Sequence, residues 1–195
     1  WPVVETPGDA FTTVTGWYGN EWFEVDGEVR RNDKRTAYVP YLDLPRLTDQ
    51  PVELAVELQD DPENEAELLR SKGWIVRRAK EVAGSPHAYQ SYVRGSLGEF
   101  GCCKPSYAEW QTGWVSDRTV CYLASGLPAV VQDTGPNPAL DAGGGVLRFR
   151  TPEEAAACLD RCAADHVTFA RAARAQAEEL FDARKVVGKV LERLI

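Results

Sequence analysis

The chain has 195 residues, 44% of them hydrophobic and 27% charged, a balance that suits a packed globular domain and leaves little room for disorder. Its 30 acidic residues outnumber 22 basic ones, for a net charge of −8 at pH 7, which argues against nucleic acid and anionic lipid as partners, since both demand an excess of Lys and Arg. Its apolar runs are strand-sized, short of the roughly 20 residues that span a bilayer, and the start lacks the basic-then-apolar pattern of a signal peptide, so a cytoplasmic protein without a membrane span is expected.

The sequence opens at Trp1 and contains no methionine, as expected of a domain cut from a longer enzyme. Residues 11 to 31 read as β structure: Phe11-Thr12-Thr13-Val14 is β-branched, and Trp22 to Val25 faces Glu28 to Arg30 across Asp26-Gly27, a strong hairpin signal. Pro40, Pro45 and Pro51 punctuate the next stretch, with one short helix near Lys34 to Val39. Residues 1–50 are therefore expected to form an amino-terminal extension of hairpin and linker. Its aromatics Trp17, Tyr18, Trp22, Phe23, Tyr38 and Tyr41 look like a packing surface for an absent neighbour.

From Pro51 onward strand and helix alternate. Val52 to Leu58 is a strand, and Glu65 to Lys72 a helix capped by Asn64 and ended at Gly73. Trp74 to Arg78 is a second strand, Ser85-Pro86 opens a helix to about Arg94, and Glu99 to Lys104 is a third strand. Ser116 can cap a helix from Asp117 to Ser125 that stops at Gly126, before the strand Pro128 to Gln132. Val146 to Arg150 is the last strand, and Thr151-Pro152-Glu153-Glu154 starts a helix with a capping hydroxyl, a first-turn proline and acids at the positive end of the dipole. The alternation predicts an α/β fold over residues 51–195: a Rossmann-like, doubly wound parallel sheet with helices on both faces, preceded by the hairpin extension. Ligands of such sheets bind at the carboxyl ends of the strands.

At that edge the most informative residues are Gly113-Trp114-Val115-Ser116-Asp117-Arg118, Cys121-Tyr122-Leu123-Ala124-Ser125-Gly126-Leu127-Pro128 and Gln132-Asp133-Thr134-Gly135. A helix ending in Ala-Ser-Gly-Leu-Pro, then a buried strand and an Asp-Thr-Gly loop, resembles the donor-binding block of GT-B glycosyltransferases, whose helix commonly reads Glu-Ala-Met-Ala-Cys-Gly-x-Pro-Val-Val. The likeness extends more loosely from about Val52 to Ile195. It implies a nucleotide-sugar-binding carboxyl-terminal domain, with the donor diphosphate at the amino end of the Ser116 helix, where free N–H groups and the dipole attract anions. Arg118 adds a bidentate donor to that phosphate, or pairs with an acid on the surface. Many retaining members carry two glutamates with seven residues between them; Gly113 and Cys121 stand at the matching positions. Their contacts fall to other groups, with Asp117, Asp133 and Thr134 as candidates, each equally readable as a cap or turn residue. Gly135 completes the loop. Lys104 ends the third strand and either neutralises phosphate or is a solvated terminus. Trp114 stacks on a base or sugar, or packs the loop. Arg77 and Arg78 end the strand where similar enzymes hold the base, or are ordinary strand-end charges.

His87 and His166 read as structural, and the sequence carries no Asp-x-Asp, Walker or Gly-x-Gly-x-x-Gly pattern, so neither a metal nor a resident cofactor is expected; the nucleotide-diphosphate sugar enters as substrate. Five cysteines, with Cys102 beside Cys103 and Cys158 four before Cys162, form no disulfide framework or metal set and are expected as reduced thiols. In GT-B enzymes the acceptor and usually the base come from the amino-terminal domain, which this chain is not expected to contain, so it is expected to bind donor weakly and turn it over negligibly. The competing reading is a non-catalytic α/β interaction module with a degenerate donor site.

Overall fold

The computed structural model describes residues 1–58, 62–141 and 143–193, the side chains at positions 62 and 139 excepted. Six strands form one parallel sheet: β1 (Phe11–Gly16), β4 (Val52–Glu57), β5 (Ile75–Arg78), β6 (Gly98–Gly101), β7 (Ala129–Gln132) and β8 (Val146–Phe149), in the order β5-β4-β1-β6-β7-β8. The order runs outward from β1 in both directions, so the chain winds one half of the sheet and then the other, as expected of a doubly wound sheet. Strands β2 (Trp22–Val25) and β3 (Glu28–Arg31) form the separate antiparallel hairpin. Asp26 and Gly27 turn it with φ of 51° and 78°, the paired positive values of a type I′ turn that Asp-Gly tolerates.

The expected boundary at residue 50 does not survive. Phe11 to Gly16 pair residue by residue with Val52 to Glu57, and Phe11 and Thr12 pair with Gly98 and Glu99 on the other side. Strand β1 thus lies near the middle of the sheet, and the aromatics after it serve this chain's own core. Trp17, Tyr38 and Tyr41 are almost fully buried with Trp74, Phe100 and Phe149, Phe23 is buried against Trp110, and of the six only Trp22 is largely exposed. Parallel pairing leaves β1 both faces to cover, which a linker cannot do.

Each face is covered by helices. On one side α1 (Lys34–Tyr38), two 3₁₀ turns (Val39–Tyr41 and Leu44–Arg46), α2 (Pro62–Ser71) and α8 (Pro152–Ala164) accompany a core in which Phe100 and Phe149 stack at 5.3 Å. Burying each such ring is worth about 2–3 kcal/mol. On the other side α4 (Pro86–Arg94), α6 (Asp117–Ala124) and α9 (His166–Leu180) supply Val93, Tyr122, Leu123, Ala173 and Ala177. Strand alternation sorts the residues: Phe100 enters the first core, while Glu99 meets Arg118 of α6.

Four short helices complete the chain: α3 (Ala79–Ala83), α5 (Pro105–Glu109), α7 (Pro138–Asp141) and the terminal α10 (Ala183–Glu192). Helix α2 begins at Pro62, so Asn64 lies in its first turn instead of capping it; proline needs no N–H partner at a helix start and opens the helix earlier. Gly73 ends α2 at φ 102°, as expected of a C-terminal glycine. Among the described residues no helix is long and apolar enough to cross a membrane, and all five cysteines are free.

Candidate functional site

Helix α6 starts at the carboxyl edge of the sheet. Ser116 caps it, its Oγ accepting from the Arg118 N–H at 3.2 Å, and Asp117 Oδ1 accepts from the same N–H at 2.9 Å. Two loops flank this end and are tied together: Gly113 N donates to Thr134 O, Thr134 Oγ1 to Trp114 O at 2.8 Å, and Asn137 Nδ2 to Gly113 O. Both loops depend on glycine. Gly113 has φ 68° and Gly135 φ 99°, and a Cβ would lie 2.7 Å from Pro136 O at the first and 2.6 Å from Gln111 O at the second. Position 113 is thus closed to any side chain.

Ahead of α6 lies a narrow cleft, about 20 Å³ in volume, lined by Gly101, Cys102, Trp114, Ser116, Arg118 and Gln132 among others; it holds about one water. Across Gln132 it adjoins a wider groove of about 360 Å³ between α1 and α5, edged by Asp133 and Arg150. Trp114 forms part of the cleft wall, stacked on Tyr107 at 4.8 Å.

Arg118 lines the cleft and is anchored behind it. Its Nε donates to Glu99 Oε1 at 2.7 Å and its Nη1 to Val14 O at 2.9 Å. The acid that pairs with it belongs to the sheet interior and not to the surface, since Glu99 is fully buried. Asp133 is committed too: Arg148 reaches it at 2.8 Å and Arg150 at 2.6 Å. Burial raises its pKa, but the hydrogen bonds from Arg150 and the Gly135 N–H, with the charge of Arg148, outweigh that and hold it below the usual range. Lys104 pairs with Glu21 beside the hairpin at 2.5 Å and is not among the residues lining the cleft. Arg77, on the edge strand β5, pairs with Glu53 at 3.0 Å. Ser116, Arg118, Trp114 and Thr134 therefore share the cleft, while Lys104 and Arg77 stand apart from it.

Lys34 is the residue the sequence did not mark. It opens α1 just after Asp33, which caps that helix; its Nζ donates to Cys102 O and lies 6.0 Å from the centre of the Trp114 ring. Burial, and then the nearby Arg118, push its pKa from 10.5 down to about 8. The signal that places it is non-local, because β1 and β6 must pair before α1 reaches Cys102. Cys102 and Cys103 themselves stay protonated: burial raises both, Cys103 to about 11, which makes them poor nucleophiles.

No family model matches the sequence, and no curated protein matches it. Solved structures do. TarM superposes with a TM-score of 0.63 at 10% identity, over 98% of this chain and 36% of that one. The C-terminal domain of the glycosyl transferase group 1 family protein LpcC from Francisella tularensis superposes at 0.58 and 14% identity, over 91% of this chain and 88% of that one. Anabaena HepE, solved in complex with UDP, gives 0.58 and 14%, over 95% and 49%. The chain thus spans about a third of TarM and half of HepE. Its fold is that of the carboxyl-terminal, Rossmann-like domain of GT-B glycosyltransferases.

Proposed function

We propose that this chain is the donor-binding half of a glycosyltransferase, holding the diphosphate of a nucleotide sugar at the mouth of the cleft ahead of α6. One observation carries the reading: Arg118, in the capped first turn of α6, lines the cleft, and the Lys34 ammonium reaches Cys102 O and the Trp114 ring of its wall from the other face of the sheet, near enough to feel the charge of Arg118. Two cations beside a helix amino terminus attract a pyrophosphate. The UDP held by HepE, whose fold this chain shares, supports the same chemistry. The donor is a substrate and not a resident cofactor. Trp114 offers a ring for base or sugar, and Asp133, Thr134 and Gly135 shape the loop beside it.

The cleft takes a phosphate edge and not a whole nucleotide, so a second wall is needed. We assign that wall, the acceptor and the base to an amino-terminal partner domain, without which water is not excluded and turnover is negligible.

Calorimetric titration with UDP, GDP, ADP and dTDP tests the reading. One of the four is expected to bind, and Arg118→Lys, which keeps the charge but loses the planar fork, to weaken it roughly tenfold. A chain that binds none of them is a non-catalytic α/β module, and binding indifferent to both Arg118→Lys and Lys34→Met places the nucleotide elsewhere.

A further inference from the structure

Strand β6 carries a charge where its neighbours carry none: Gly98, Glu99, Phe100 and Gly101 are all buried, and Glu99 is 0% exposed. A buried carboxylate is costly to keep, and an apolar residue of similar size would serve packing at least as well. The way it meets Arg118 is also unusual for a pair that only stabilises. A side-on guanidinium normally closes two N–H groups on two carboxylate oxygens. Here Glu99 Oε1 takes Nε alone, Oε2 has no hydrogen-bond partner, and Val14 O takes Nη1. Among the described residues Nη2 has no hydrogen-bond partner.

The strand also leaves room for that free end. A Cβ at Gly101 would lie 3.0 Å from Arg118 Nη2 and 3.3 Å from Glu99 Oε1, tighter than ordinary contact, and Gly101 lines the cleft with Arg118.

Building on the diphosphate reading above, we infer that Glu99 is a positioning residue: it grips Arg118 by Nε so that Nη2, passing over Gly101, is presented to a phosphate oxygen. The carboxylate acts through the guanidinium and never touches the ligand. Its negative charge, taken alone, opposes the anion, so geometry and charge predict opposite outcomes when it is replaced.

Titration of the chain with inorganic pyrophosphate, at fixed pH and salt, separates them. Glu99→Gln and Glu99→Leu remove the same charge, but only Gln keeps an acceptor for Nε. Glu99→Gln is expected to bind as the parent does or more tightly, and Glu99→Leu about tenfold more weakly. Equal affinities for the two folded variants overturn the inference. Gly101→Ala gives a second arm that leaves every charge in place: it is expected to weaken binding several-fold in the parent and not in an Arg118→Lys background, and equal weakening in both overturns the proposal. Binding by the parent that responds to Lys34→Met yet ignores both Glu99→Leu and Gly101→Ala removes the role of Glu99 alone, whereas a parent that binds no pyrophosphate removes the diphosphate reading with it.

Discussion

Lys34 sits where its charge is expensive. Burial lowers its pKa from 10.5 to about 8, which means that the folded state holds the proton less tightly than the unfolded chain. The sign comes from linkage: between about pH 8 and 10.5 the unfolded chain binds more protons, so stability from this group rises with pH, and the full cost is present below about pH 8. That cost is on the order of 3 kcal/mol at most. Lys34→Met is therefore expected to raise the melting temperature at neutral pH, by an amount that shrinks toward pH 10. The same change should lower nucleoside diphosphate affinity roughly tenfold at pH 7. As pH rises through about 8 and the parent lysine loses its proton, parent affinity should fall toward that of the methionine variant, which itself stays flat. Binding that is pH-independent in the parent would remove Lys34 from the site. A residue that costs stability where it is neutral to packing is the signature of a functional charge. Nothing within ten positions of Lys34 foretells this, whereas Arg118 was legible because the helix start around it is a local pattern. Its partner had a weaker signal: a lone acid in the buried run Gly98-Glu99-Phe100-Gly101 requires a cation somewhere, but the sequence does not say which.

Helix starts are where the sequence was most readable, because a cap is settled by the residue itself and the N–H two or three positions on. Ser85, Ser116 and Thr151 each accept the expected backbone bond, from Ala88, Arg118 and Glu154. The elements that escaped, α3, α5 and α7, are 5, 5 and 4 residues long, too short to complete the periodicity that reveals a helix. Two of the caps make a paired test. Thr151→Ala in α8 is expected to cost about 1 kcal/mol, a fall of roughly 2–4 °C in melting temperature, with nucleoside diphosphate affinity unchanged. Ser116→Ala should cost about the same stability and also weaken the ligand, since Ser116 lines the cleft. Thermal denaturation beside calorimetry checks both, and an equal ligand response from the two caps would deny α6 its special place.

At the scale of the whole molecule, strand order was the least legible property: β1 lies between strands that begin 41 and 87 residues later, at Val52 and Gly98, and only the pairing reveals that the aromatics after it close the core. Among the described residues one apolar surface left uncovered lies on α10. Helix α10 has no buried residue, and Val186, Val187, Val190 and Leu191 on one side of it are 43% to 54% exposed. Residues three and four apart share a helix face, so these four form one apolar stripe held to the domain mainly through α9. An exposed apolar stripe of this kind favours self-association at high concentration. Sedimentation velocity is expected to show mass rising with concentration for the unmodified chain and a monomer for the Val187→Glu, Val190→Glu double variant. Diphosphate affinity should be the same in both, because α10 contributes no residue to the cleft. A parent chain that stays monomeric throughout would mean that the stripe is held by water alone, and a variant that loses ligand affinity would mean that α10 steadies the sheet edge from which Lys34 and Arg118 act.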